Sequence, residues 1–221
     1  MKILLISDLH KSYKPRKVDE TVAVEWLLHV IDDNKPEYLI SAGDWDEGMS
    51  SEDFLKIETR VKLLTVYGNH ENFPVIRRLA MSDGKIYKIG NLRVAGINGL
   101  IGGKGEYSLS PDEFRAAYKR IARKGTDILV MHQPPYLPEV YPKMREDDSG
   151  ILALEGVREI SPKLFVNGHM TGDCFSYFRM PWGTHYLRVD SSQECKSYAI
   201  LEEYEVIVHS DGDPVHSFRI L

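Results

Sequence analysis

The stretch KLLTVYGNHE (residues 62–71) runs through apolar and β-branched residues, then stops in a glycine, a carboxamide, an imidazole and a carboxylate. Its first half has the composition of a buried strand. Its second half is poor at continuing one. A turn alone would account for Gly68 and Asn69, because both residue types tolerate left-handed backbone. The reading therefore depends on whether the rest of the chain repeats the pattern.

It repeats four times. KILLIS (2–7) leads into Asp8 and His10, YLISAG (38–43) into Asp44, DILVMH (127–132) ends in His132, and KLFVNG (163–168) leads into His169. Helical patterns lie between the strands. VDETVAVEWLLHVIDDN (18–34) is amphipathic and closed by Asn34 and Pro36. SPDEFRAAYKRIARKG (110–125) carries Ser110 as N-cap, Pro111 at the first position, Glu113 completing a capping box, and Gly125 as the stop. A further helix is expected over about 149–160. This alternation predicts an α/β core of largely parallel strands. After residue 170 the pattern changes to the strand-like segments CFSYFRM, THYLRV, SYAILEEY, EVIVHS and VHSFRIL. They predict a second, more antiparallel sheet, with KIYKIG and NLRVAGI (85–97) as candidate members. No repeat or long linker interrupts the chain, so one domain over residues 1–221 is expected.

Composition narrows the function. Among 221 residues, 43% are hydrophobic and 28% charged, ordinary for a globular protein, and the formal net charge is -5. That balance argues against long nucleic acid as the main partner, since phosphate neutralisation dominates such affinity. A local basic stretch, KSYKPRK (11–17), follows His10; it would attract phosphates or be an ordinary solvated loop. Cys174 and Cys195 have no CxxC spacing, so two reduced structural thiols are expected. The run ILLIS is too short for a signal peptide, and nothing approaches a membrane-spanning length of ~20 apolar residues. A soluble, cytoplasmic protein is the expectation.

Five apolar runs thus each end in Asp, Asn or His, and in open α/β sheets ligands bind beyond the carboxyl ends of the strands. Folding would gather Asp8, His10, Asp44, Asn69, His70, His132 and His169 on one rim. Carboxylate, carboxamide oxygen and neutral imidazole suit first-row divalent ions such as Mn²⁺, Fe²⁺ or Zn²⁺. The alternation Asp8-Leu9-His10 puts two donors on the same side of an extended segment. Absence of cysteine argues against a closed structural zinc site. Each histidine taken singly could cap a strand or pair with an acid, and His29, His209 and His216 are read as structural or exposed. The glycine-rich GINGLIGGKGEYS (96–108) lacks P-loop spacing and reads as a loop, over the site or elsewhere on the surface. Tyr136, Tyr141, Lys143 and Arg145 follow His132, either as substrate contacts or as plain loop residues.

Together DLH, GDWDE, GNHE, HQPP and GHMT, in that order, resemble the calcineurin-like metallophosphoesterase superfamily. The resemblance runs over nearly the whole chain, since 184–202 resembles the family's tail strands. It implies an α/β, four-layer αββα sandwich: two mixed sheets flanked by helices, with a dinuclear metal centre at their edge. It further implies that Asp8 and His10 hold the first ion and that Asp44 bridges both. Asn69, His132 and His169 would complete the second, with Mn²⁺, Fe²⁺/³⁺, Zn²⁺ or Ni²⁺ as the ions. His70 would face the substrate as acid or electrostatic stabiliser; Glu71 is read either as orienting nearby polar groups or as a plain surface residue. The implied activity is hydrolysis of a phosphoester, a small molecule or nucleotide, as a monoester or diester.

Two positions depart from the family pattern. Glu47 stands where an aspartate is usual, with Asp46 one residue early. Thr171 stands where a second histidine would bind the first ion, and a hydroxyl is a poor substitute. That site is expected to be weak, to hold a hard ion with extra water, or to borrow Asp173 or His185. The departure keeps a second reading open: a degenerate-site protein-interaction scaffold, as in the retromer subunit that resembles this family. The presence of His70 favours the enzyme.

Overall fold

The computed structural model describes residues 1–14 and 17–220. In chain order the elements are β1 (Lys2–Ile6), a 3-10 turn (Glu20–Val22), α1 (Ala23–Asn34), β2 (Tyr38–Ser41), α2 (Ser51–Glu58), β3 (Lys62–Thr65), α3 (Phe73–Ile76), β4 (Ile86–Ile89), β5 (Leu92–Ile97), β6 (Leu100–Ile101), β7 (Ser108–Leu109), α4 (Pro111–Lys124), β8 (Ile128–Met131), α5 (Asp148–Ile160), β9 (Leu164–Asn167), β10 (Phe175–Arg179), β11 (His185–Val189), β12 (Tyr198–Glu202), β13 (Glu205–Ser210) and β14 (Asp213–Arg219). All five apolar runs are strands. The capping box that opens α4 is formed: Ser110 Oγ accepts from the Glu113 N–H at 3.2 Å, and Glu113 accepts from the Ser110 N–H at 2.8 Å. A second box, Ser50 with Asp53, opens α2. The short α2 and α3 were not expected from the sequence pattern.

The strands form two six-stranded mixed sheets, ordered β14-β13-β12-β1-β2-β3 and β10-β11-β9-β8-β5-β4. Parallel pairs fill the centres: β1 with β2, β2 with β3, β5 with β8, β8 with β9, and β9 with β11. Strand alternation builds the layers. Along β1, Ile3 and Leu5 enter a core with Val94, Val130 and Val166 of the other sheet. Leu4 and Ile6 point the other way, to Leu27 and Ile31 of α1 and Phe54 of α2. On the far side Leu129 and Phe165 meet Phe114, Tyr118 and Val157 of α4 and α5. Three apolar interfaces between four layers make an αββα sandwich.

Two expectations are corrected. The C-terminal strands form no sheet of their own: β12 to β14 extend the first sheet antiparallel from β1, and β10 and β11 extend the second. The open side of each parallel core thus receives a partner for its unpaired backbone groups. β4 and β5 share the second sheet with β10 and β11, as expected; β12 to β14 do not. Cys174 and Cys195 are not free thiols but a disulfide. It joins the segment before β10 to the loop after β11, where Asp190 N–H already donates to the Cys174 carbonyl at 2.9 Å. Of the basic stretch 11–17, Arg16 lies outside the described residues, and Lys11 is held by Asp53 at 2.7 Å. Among the described residues no helix is long and apolar enough to cross a membrane.

Candidate metal centre

Parallel β1, β2 and β3 end on the same rim, and β8 and β9 end on the facing rim of the other sheet. Immediately beyond these ends the backbone is unusual. Asp8 (φ 55°), His10 (52°), Asp44 (58°), Asp46 (77°) and His169 (70°) are all left-handed, although none is glycine. Such residues cost free energy and concentrate at functional sites. The turns are held by backbone bonds between neighbouring loops: Asp8 N–H to Gly43 O at 3.0 Å, His10 N–H to Asp44 O at 3.1 Å, and Asp46 N–H to His70 O at 2.8 Å. Buried Glu71 ties the second loop to the third, accepting from the N–H groups of Asp44 (2.8 Å) and Gly68 (2.9 Å) with Oε1 and from Trp45 (3.2 Å) with Oε2. Burial, with the Asp44 charge adding, pushes its carboxyl up to about 8 against those N–H bonds.

Gly68 corrects the turn explanation. It is not left-handed; a Cβ there would sit 2.1 Å from Asp44 Oδ1 and 2.6 Å from His132 Nε2. The glycine makes room for donors to converge. Gly168 does the same from the other sheet, 2.7 Å from His132 Nδ1 and 2.8 Å from Ser7 Oγ.

Two donor groups share Asp44: Asp8, His10 and Asp44, and Asp44, His132 and His169, with donor atoms within 4.8 Å of one another in each. His132 is fully buried, and its Nδ1 faces the Ala42 carbonyl at 2.8 Å. The proton belongs on that nitrogen, so the Nε2 lone pair faces inward. There it meets Asp44 Oδ1, Asn69 Oδ1 and His169 Nδ1, each at 3.3 Å. Asn69 Oδ1 also lies 2.9 Å from His169 Nδ1. Lone pairs converging in this way fit around a positive charge, and the oxygen–nitrogen set fits a first-row divalent ion. In the other group His10 Nε2 lies 3.7 Å from Asp44 Oδ2, while its Nδ1 is backed by Asp46 at 3.4 Å. Asp8 is fixed by Ser7 Oγ–H and, at 3.0 Å, by the His169 N–H.

The electrostatics match a cation site. Burial works against charge on His132, yet Asp44 and Asp8 lift it to about 9; burial likewise opposes charge on His10, and Asp46 and Asp44 lift it to about 9. Burial also opposes charge on Asp44, but His132 and His10 hold its carboxyl well below the usual range. His169 goes the other way, pushed down to about 4 by burial and by His132. The site carries negative charge that protons or metal ions can neutralise.

Asp8, His10, Asp44, Asn69 and His169 line a cavity of about 610 Å³. His70 is exposed on its wall, with its ring 5.7 Å from that of His10 and its N–H on Asp44 Oδ1 at 2.9 Å. Thr171 is exposed and also lines the cavity. Asp173 does not line it, and its carbonyl accepts from Arg188. His185 starts β11 beside Tyr177 (3.0 Å) and Phe218, paired with Leu164 at the opposite ends of the strands. Neither is brought to the donors, so their candidacy as replacement ligands is corrected. Glu47 is exposed, and Asp46, turned inward by its left-handed backbone, takes the place beside His10. The sequence reading also missed Asp190, Ser192 and Glu194, which wall the cavity from the loop after β11. Nothing in the residue pattern of that loop marked them. His29 is exposed, as expected.

A two-sheet sandwich with paired Asp, Asn and His donors at one rim defines an α/β protein with a candidate metal centre. The profile described as the Calcineurin-like phosphoesterase superfamily domain matches residues 1–171, and the chain belongs to that superfamily. Among solved structures it is similar to TT1561 of Thermus thermophilus, at 14% identity, with 95% of this chain and 98% of that one covered and a TM-score of 0.69. It is also similar to a phosphatase of Mycoplasma pneumoniae (9%, 100% and 92%, 0.54) and to a 5′-nucleotidase precursor of Thermus thermophilus (13%, 99% and 53%, 0.53). At these identities the likenesses establish the fold. No curated protein matches the sequence.

Proposed function

We propose that this protein hydrolyses a phosphoester P–O bond with two divalent ions, held by Asp8, His10 and Asp44 and by Asp44, Asn69, His132 and His169. The observation that carries the reading is the convergence of His132 Nε2, His169 Nδ1, Asn69 Oδ1 and Asp44 Oδ1, in contacts of 2.9–3.3 Å. Bound ions of this kind supply a nucleophile from water near neutral pH and neutralise phosphoryl charge. The chain's own residues do the rest. Asp46 and the Ala42 carbonyl fix the imidazoles of His10 and His132 in the tautomers that present lone pairs. His70, exposed and anchored through its backbone, can donate a proton to the leaving oxygen or offset charge on the phosphoryl oxygens.

The test is a panel of an aryl phosphate and an aryl phosphodiester with Mn²⁺, Ni²⁺, Co²⁺, Mg²⁺ or no metal. Chelator-sensitive turnover well above that of an Asp44→Ala control is expected. The absence of such turnover with every ion would favour the interaction-scaffold reading, which the exposed Thr171 at a ligand position keeps in view.

A further inference from the structure

Beside the metal centre lies a second cavity of about 460 Å³. The two share the wall formed by Met170 and Thr171. Its far side is the segment after β8, with Tyr141, Pro142, Lys143 and Met144. This side is firmly built. Tyr141 Oη lies 2.8 Å from Tyr186 Oη, whose hydroxyl donates to Asn167 Oδ1 at 3.2 Å, and the Met144 N–H donates to the Tyr141 carbonyl at 2.9 Å. The near side is firm too. The fully buried guanidinium of Arg188 donates to the Met170 carbonyl at 2.8 Å and to that of Asp173.

We propose that this second cavity is a subsite for the alcohol portion of the phosphoester, and that it takes a nucleoside. The inference rests on the proposed phosphoesterase reading and adds its substrate class. Met144, Met170, Tyr141 and Pro142 offer a polarisable, largely apolar surface, which suits the face of a flat heteroaromatic ring. The size falls within the range of small-molecule pockets. Exposed Lys143 and Asp173 line the cavity with one charge of each sign, and Lys143 makes no ion pair among the described residues, so its ammonium is available to an anionic or carbonyl substituent. A phosphate at the metal donors and a ring across the Met170–Thr171 wall belong to one molecule, because the cavities adjoin there.

The test holds the leaving group constant. Thymidine 5′-(p-nitrophenyl phosphate) and methyl p-nitrophenyl phosphate release the same phenolate and differ only in the retained alcohol. The Mn²⁺-loaded protein should cleave the thymidyl ester with at least tenfold higher kcat/KM. Met144→Trp, which fills the cavity from its far side, should abolish that preference through KM while leaving the methyl ester and the metal content unchanged. Equal rates on both esters, or a preference that survives Met144→Trp, would overturn the subsite and leave the phosphoesterase reading standing. If neither diester is cleaved, the aryl phosphate of the panel above decides the phosphoesterase reading, and calorimetry with thymidine 5′-monophosphate decides the subsite. Binding weakened at least tenfold by Met144→Trp supports it, and no binding or unchanged binding overturns it.

Discussion

The backbone N–H of His70 donates to Oδ1 of Asp44 at 2.9 Å, so the chain anchors His70 beside the shared carboxylate without using its ring. The imidazole is exposed on the cavity wall. His70→Ala keeps that backbone bond. It should retain wild-type metal content and lose turnover by about 10²–10⁴-fold, the usual contribution of a positioned acid. Elemental analysis beside steady-state kinetics measures both. Metal lost together with activity would make His70 a ligand.

The two ion positions should differ in affinity. One has Asp44, Asn69, His132 and His169; the other has Asp8, His10 and Asp44, with exposed Thr171 nearby. Titration of metal-free protein with Mn²⁺ or Zn²⁺ should show one tight ion and one that needs excess metal. Thr171→His should tighten the weaker. Two equally tight ions in the wild type would mean that another oxygen donor of the cavity wall, Asp190 being one, completes the first position.

Gly68→Ala tests the convergence of donors directly. The added methyl would meet Asp44 Oδ1 at 2.1 Å and His132 Nε2 at 2.6 Å, and the backbone there is not left-handed, so crowding is the cause of any effect. Overpacking of this kind costs about 1–3 kcal/mol, and the shifted carboxylate should weaken both ions. Thermal melting with and without metal would show it. A variant that melts and binds like the wild type would mean the loop gives way freely.

The disulfide should contribute strongly to stability. Cys174 and Cys195 are 21 residues apart, and closing a loop of that length in the unfolded chain is worth about 3 kcal/mol. For a chain of this size that corresponds to roughly 6–12 °C in Tm. Reductant, or Cys174→Ser with Cys195→Ser, should lower the melting temperature by that amount. An unchanged Tm would show that the Asp190–Cys174 backbone contact suffices.

Much of this architecture was legible in the residues. Strand ends and helix caps are local events, so KLLTVYG, Ser110 and Glu113 announced themselves, and the donors at the ends of five runs followed. What was hidden depends on pairing between distant segments. Nothing in SYAILEEY says that β12 will lie beside β1 and not beside β11. Cys174 and Cys195 look like two separate thiols until β10 and β11 bring their flanks together. Asp46 looked misplaced by one residue because a left-handed backbone, which turns it toward His10, carries no signature in a charged side chain.

The donors also come from both halves of the sandwich. Asp8, His10, Asp44 and Asn69 follow strands of one sheet, while His132 and His169 follow strands of the other, and the contact between His169 and Asp8 spans 161 positions of chain. An ion held at this rim would therefore act as a rivet between the two sheets. Ligands that bind only the folded chain raise its stability by mass action, and here they would do so at the seam where the sheets must part for the protein to unfold. Loading the centre should thus be readable without any substrate, as resistance of the whole chain to protease and denaturant.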